Sequence, residues 1–391
     1  MSTGARVVWT LLLACVVSGG PPVLAAPGVT DTTITVGLLT PPADPSCTKA
    51  PCSQVRTGME AYFKWKGQQV GAVAGRQVVV KPIAMPPDVR KKVAEADKVL
   101  EKEGGEVLVF LSPVDAAQTI ALFPLVDRHK IPLLFPATGA EGIGEPAKRF
   151  VFASPLDYRD LSHVAVDFAL RNGRKKIGIL YRPDPDGRAF LLGAEDRRRQ
   201  VSVPVVAHPV ATGASPDVKQ GVEKLRGEAV DVVLLAAPSE QAAAILETAV
   251  DQWGQAQPMW IVAPYALDPA FVAKAISFKQ QTGGGVRAVM PFQAVPFQGR
   301  THPPMSAQHR QAVAEFQQIM GAKPIAYYTL LGYAHARLFA EAVGKVEGKP
   351  DRSQLIRVLE RERIETGLGP FIRYSVAERT SRSSPVIHEI E

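Results

Sequence analysis

The residues that could do chemistry are few, and their spacing argues against a reaction centre. Seven histidines (His129, His163, His208, His302, His309, His335, His388) are scattered, and none stands at the H-E-x-x-H spacing that puts two imidazoles on one helical face. No G-x-S-x-G turn is present, nor a nucleophile with a positioned His, so acyl-transfer chemistry has no carrier. "GIGEPA" (142–147) follows a strand and imitates a dinucleotide loop. However, Pro146 stands where a helix should open and no acidic residue ends the next strand. Cys47 and Cys52 in "CTKAPC" lack the further His or Cys that a tetrahedral zinc shell needs. No metal and no cofactor is expected.

What the chain does supply is a set of loops rich in small and polar residues: "SPVDAAQ" (112–118), "PATGAEG" (136–142), "YRPDPDG" (181–187), "APSEQA" (237–242) and "APYALD" (263–268). Each follows an apolar run and precedes a helix-like stretch. Exposed backbone N–H groups at helix starts are ready holders of a polar head group.

The elements that must position these loops alternate regularly. "TITVGLL" (33–39), "RQVVVKPIA" (76–84), "EVLVFL" (106–111) and "IPLLF" (131–135) read as strands, with helix-period stretches at 53–67, 88–104 and 115–130 between them. A second series opens at "RFVFASP" (149–155) and continues through 176–181, 203–210, 230–238 and 259–265, with helices at 158–171, 216–226 and 239–253. The expected class is α/β: two doubly wound parallel-sheet lobes, with ligands at the carboxyl ends of the strands. The predicted division is 27–150 plus 290–368 for one lobe and 151–289 plus 369–391 for the other. Three chain crossings are expected, near 150–155, 286–292 and 366–371.

Residues 1–26 read as a secretory leader, with Arg6, the apolar run 7–17 and small residues at 23–26. The apolar run is shorter than the ~20 residues of a spanning helix. Cleavage after Ala25 competes with a lipoprotein-like "LLAC" (12–15) that would leave a lipid on Cys15. Export places Cys47 and Cys52 in an oxidising compartment, so they are read as a disulfide. What remains after the leader exceeds what one core usually serves. The net charge of +7 is dispersed. The basic stretches 171–176 and 196–199 lack interleaved aromatics, so no nucleic-acid partner is expected.

Several stretches taken together, "GVTDTTITVGLL", "AYFKWKG", "IPLLFPATGA", "KKIGILY", "DVVLLAAPSEQAAAIL" and the ending "SPVIHEIE", are similar to the branched-chain amino-acid type of ABC-transporter solute-binding protein. The resemblance spans nearly the whole chain after the leader. It implies a type I periplasmic binding fold, a monomer that passes a small ligand to an inner-membrane permease, and a periplasmic or envelope-attached location. It also implies ligand contacts from Ser112, Asp115, Ala116, Phe135, Thr138, Gly139, Asp186, Ser239 and Tyr265.

Departures from the family pattern shape the expected ligand. Asp115 and Ala116 stand near the usual Ser/Thr carboxylate holder, Tyr265 where an acidic residue pairs with the ammonium, and Asp186-Gly187 in place of Tyr-Gly. A carboxylate at Asp115 would repel an amino acid's carboxylate, while Tyr265 and Phe135 could stack on a ring. The expectation is a small polar or aromatic solute with a donor-rich or cationic head, and not a plain branched-chain amino acid. Asp115 acting only as a helix N-cap would carry no such charge preference. A receptor-linked sensing role, or an envelope hydrolase using Asp115, Asp184 or Asp186, are the alternatives.

Overall fold

The computed structural model describes residues 26–391 apart from 42, 70, 212–214, 366 and 382, so the expected leader and Cys15 lie outside the described residues. Among the described residues twelve strands form two sheets. The first contains β1 (Thr33–Thr40), β2 (Gln77–Ala84), β3 (Val109–Leu111), β4 (Leu133–Leu134) and β5 (Val151–Phe152), all parallel, in the order β2-β1-β3-β4-β5. The second contains β6 (Ile177–Tyr181), β7 (Val205–Pro209), β8 (Val232–Ala236), β9 (Met259–Val262) and β10 (Val286–Met290). Its parallel part runs β7-β6-β8-β9-β10, the same winding order repeated. β12 (Val386–Ile390) then adds antiparallel to β10, and β11 (Gly299–His302) antiparallel to β12.

The central strands β3, β4, β8 and β9 are apolar and buried at every position because both of their faces are covered. In β3 the side chains of Val109 and Leu111 enter one core cluster and Phe110 the other; Leu134 and Leu133 in β4 divide in the same way. Helices α1 (Cys52–Gly67), α2 (Val93–Gly104), α3 (Ala116–Ala121) and α4 (Phe123–His129) serve the first sheet, with α5 (Tyr158–Arg171), α6 (Pro185–Val201), α7 (Ser215–Gly227), α8 (Ser239–Trp253) and α9 (Pro269–Thr282) serving the second. Late in the chain, α10 (Ala307–Met320), α11 (Tyr327–Gly344) and α12 (Arg352–Arg361) return to the first lobe. α1 and α11 touch backbone to backbone: a Cβ on Gly58 would lie 2.0 Å from Thr329 O and one on Gly332 2.1 Å from Val55 O. Only glycine permits that approach, which holds the start of α11 over the strand ends.

Three expectations change. The strand at 151–152, read as opening the second series, is the edge of the first sheet, because it pairs with β4. Residues 299–302 remain with the second sheet through β12, so that passage falls between β11 and α10 and not at 286–292. The segment after α12 stays on the first lobe: the Tyr374 ring packs on Phe152, its hydroxyl donates to Ala153 O, and Arg379 Nε donates to Lys148 O at 3.0 Å. The last passage therefore lies between 379 and β12, beyond 366–371. Helices α6 and α9 lie outside the expected helical stretches, although each opens on Asp-Pro, an N-cap followed by proline in the first turn.

Candidate functional site

The carboxyl ends of both sheets face one crevice. On the second-lobe side, β6 ends at Tyr181 and the chain turns through Arg182 to Asp184, which caps α6 by accepting from Gly187 N at 2.8 Å and also pairs with Arg182. This cap fixes Asp186 in the first turn of α6. Its carboxylate accepts from the hydroxyl of Thr138, which stands in the loop after β4 of the first lobe. Thr138 Oγ1 in turn accepts from Ala140 N at 3.0 Å, so a chain of donors reaches across the crevice. Partial burial pushes the Asp186 carboxyl up to about 7. The Thr138 bond opposes the shift, the Asp184 charge adds to it, Arg182 opposes it and Asp115 adds to it.

Tyr265, in the 3-10 turn Pro264–Ala266 after β9, lies edge-on to Tyr158 with ring centroids 5.1 Å apart. It is 8% exposed, and its hydroxyl has no hydrogen-bond partner among the described residues. Burial and the nearby Asp186 raise its phenol well above the usual range. Tyr327 N donates to Leu267 O at 2.8 Å, a second bond between the lobes.

Between these elements lies a cavity of about 690 Å³, within the range of small-molecule sites. Three of the expected contacts, Asp186, Ser239 and Tyr265, line it. Arg182, Tyr328 and Phe271 were not foreseen in this role, although Arg182 follows directly on the strand in "YRPDPDG". Pro51 and Gln54, at the start of α1, supply the first-lobe wall.

The other expected residues are placed differently. Asp115 caps α3, accepting from Gln118 N at 2.9 Å, and borders a separate gap of about 10 Å³. It lines no part of the larger cavity, so it offers no direct contact there, and its charge bears on the cavity only through Asp186. Ala116 packs in the second core cluster. Phe135 is fully buried with φ 51°. Its ring meets the His335 imidazole with centroids 5.9 Å apart, so it offers no stacking face to a solute. Gly139 accepts from Tyr158 N at 3.1 Å and borders a second cavity of about 430 Å³. A Cβ there would lie 2.8 Å from Tyr158 N.

Ser112 is sealed in the core. Its hydroxyl lies 2.6 Å from His335 Nδ1, while His335 Nε2 lies 2.7 Å from Ser154 Oγ. Distance alone would suit a nucleophile and its base, but all three residues are at most 2% exposed and the third partner is a serine, not a carboxylate. Burial holds the imidazole neutral, with its pKa lowered to about 3. The trio ties α11 to the ends of β3 and β5 as structure. Among the described residues no cluster of His, Cys, Asp and Glu could hold a metal, and no helix is long and apolar enough to cross a membrane. Cys47 and Cys52 are joined by a disulfide, which closes the turn leading into α1.

Two lobes of identical winding, a crevice at their strand ends and hydrogen bonds across it define a two-lobed solute-binding protein. Residues 33–386 match the family described as periplasmic binding protein, and the chain belongs to that family. Its fold is the type I form. It is similar to a possible leucine/isoleucine/valine-binding protein from Rhodopirellula baltica SH 1, with 18% identity, TM-score 0.69 and coverage of 91% of this chain and 94% of that one. It is also similar to a fatty acid ABC transporter substrate-binding protein from Thermomonospora curvata, with 19% identity, TM-score 0.71 and coverage of 93% and 89%. A third structure, a Rhodopseudomonas palustris BisB5 solute-binding protein in complex with 3,4-dihydroxybenzoic acid, gives 20% identity, TM-score 0.70 and coverage of 92% and 93%. The sequence has no match among curated proteins.

Proposed function

We propose that this protein captures a small solute with an apolar or aromatic body outside the cytoplasm and presents it to an ABC permease, acting as a monomer and without covalent chemistry. The observation that carries the reading is the cavity of about 690 Å³ walled by both lobes, with Tyr265, Tyr328, Phe271 and Leu267 as its ring and aliphatic surfaces. The ligands named for the similar structures, a fatty acid and 3,4-dihydroxybenzoic acid, share such a body. A plain branched-chain amino acid fits less well. The phenol of Tyr265 stays neutral and cannot balance an ammonium, and burial raises the carboxyl of Asp186 to about 7, which favours its uncharged form. The leader read in residues 1–26 supports export.

Calorimetry on a panel of aromatic acids, fatty acids, amino acids and amines, combined with small-angle scattering, tests the reading. One solute should bind with 1:1 stoichiometry and compact the protein. Turnover of a bound solute, or tight binding of leucine, would overturn it.

A further inference from the structure

Three helices end on the crevice without a side-chain cap. α1 is preceded by Pro51, α8 by Pro238 and α11 by Ala326, and none of these side chains can accept from a first-turn amide. Pro51 and Pro238 line the cavity, as does Tyr328 in the first turn of α11. Of the other helices, α2 and α4, which do not line the cavity, also start without a side-chain cap, whereas α3, α5, α6, α9, α10 and α12 each carry an Asp or Ser cap that accepts from the helix. In α8, a helix of 15 residues, the amides of Ser239, Glu240 and Gln241 precede the first helical bond, Ala242 N to Pro238 O at 2.8 Å. Such a helix start carries positive potential and free donors.

A second, independent feature lies on the same wall. The Tyr265 hydroxyl is buried without a partner among the described residues, a state that buried polar atoms rarely keep. Arg182 adds a cation whose five donors exceed what Asp184 can accept while also capping α6. Most of the carboxylates near the cavity are engaged: Asp268 caps α9, Glu247 pairs with Lys274 at 2.5 Å, and Asp186 accepts from Thr138. Glu240 is exposed.

We propose that the head group of the solute is a carboxylate, held in the second lobe by the Tyr265 hydroxyl, the Arg182 guanidinium and the first-turn amides of α8. This assignment rests on the solute-capture reading and reverses the donor-rich or cationic head expected from Asp115. The body of the solute then lies toward Phe271, Leu267 and the start of α1. An amide of the same shape cannot make the charge-assisted bonds that the acid makes.

The test measures calorimetric affinities of the full protein for benzoate, 4-hydroxybenzoate and octanoate against benzamide, octanamide and benzylamine. At least one acid should bind tenfold or more tightly than its amide. Tyr265→Phe should weaken that acid about tenfold while changing its amide less, and Arg182→Gln should do the same, with unfolding curves confirming that both variants fold. Amide or amine binding as tight as the acid, no acid binding anywhere in the panel, or equal loss of acid and amide in Tyr265→Phe would each overturn the assignment. Solute capture would survive these results if any other solute compacts the protein, and would fail if none does.

Discussion

At His335 both ring nitrogens meet a hydroxyl, Ser112 at 2.6 Å and Ser154 at 2.7 Å, inside a fully buried layer. Across the crevice Tyr265 buries a hydroxyl that meets no partner, beside an Asp186 carboxyl lifted to about 7. Both clusters sit at strand ends, and both mix rings with oxygen donors. The first is complete without a ligand and joins α11 to the ends of β3 and β5. The second is incomplete in the free protein. A polar network that is satisfied rigidifies a core, whereas one left short stores a cost that a bound molecule can relieve. The contrast separates framework from site better than residue type does, because Ser112 and Tyr265 looked equally plausible as contacts in the sequence.

The sharpest way to break the contrast is to cut the satisfied cluster. His335→Leu puts an apolar side chain of similar reach in place of the imidazole and leaves the Ser112 and Ser154 hydroxyls buried and unpaired. At about 1–3 kcal/mol for each orphaned group, a loss of roughly 3 kcal/mol in urea unfolding is expected. A loss below about 1 kcal/mol would mean that the trio does not act as a framework.

How much of this was visible in the sequence follows from distance along the chain. The strands and most helices were legible because their signal is local: the apolar runs of β1, β6 and β8 stand out, and Asp115 sits where an N-cap should. The sheet to which β5 belongs is not legible, because two residues, Val151 and Phe152, carry no mark of which neighbour they will pair with. β11 has the polar sequence GRTH, which carries no apolar signal of a strand. The site depends on longer links. Thr138 and Asp186 are 48 residues apart and Ser112 and His335 are 223 apart, so neither bond could be read from spacing. Asp115 misled for the same reason: its charge was legible, but its use as the cap of α3 beside a separate gap was not.

Acid titration should distinguish the two clusters by sign. The folded-state pKa of His335 is depressed from 6.5 to about 3, so its contribution is present above about 6.5 and is lost as pH falls toward 3. Asp186 is raised from 3.8 to about 7, so its contribution is present below about 3.8 and is lost as pH rises toward 7. Between pH 4 and 6.5 the two slopes oppose each other. Asp186→Asn removes one of them, and its stability should fall more steeply than wild type as pH drops through that window. Arg182, Asp184 and Asp115 also face Asp186 and remain in both proteins, so the difference between the urea curves isolates the one carboxyl. Parallel curves would show that Asp186 titrates normally.

Thr138→Val probes the bond between the lobes directly. The substitution keeps the branched shape but removes both the donor to Asp186 and the acceptor for Ala140 N. A loss of about 1 kcal/mol is expected. Because one of the two bonds spans the crevice, part of the loss should fall on the closed arrangement. Scattering of the ligand-free variant should show a larger radius of gyration than wild type, and solute affinity should drop roughly fivefold. Unchanged scattering with unchanged affinity would assign Thr138 to its own loop alone.

The smallest stability effect is expected where the contrast is sharpest, at Tyr265. Removing a hydroxyl that is bonded in the folded state normally costs about 1 kcal/mol, but removing one that is buried without a partner also removes an unpaid desolvation penalty. Tyr265→Phe should therefore change the unfolding free energy of the ligand-free protein by less than about 0.5 kcal/mol, or raise it slightly. The ring keeps its edge contact with Tyr158, so packing does not confound the measurement. Saturating solute shifts unfolding in proportion to affinity, so the same substitution should narrow the ligand-induced rise in melting temperature while leaving the ligand-free value in place. A loss of 1 kcal/mol or more without ligand would mean that the hydroxyl is already satisfied in solution, and Tyr265 would then belong with His335 as framework.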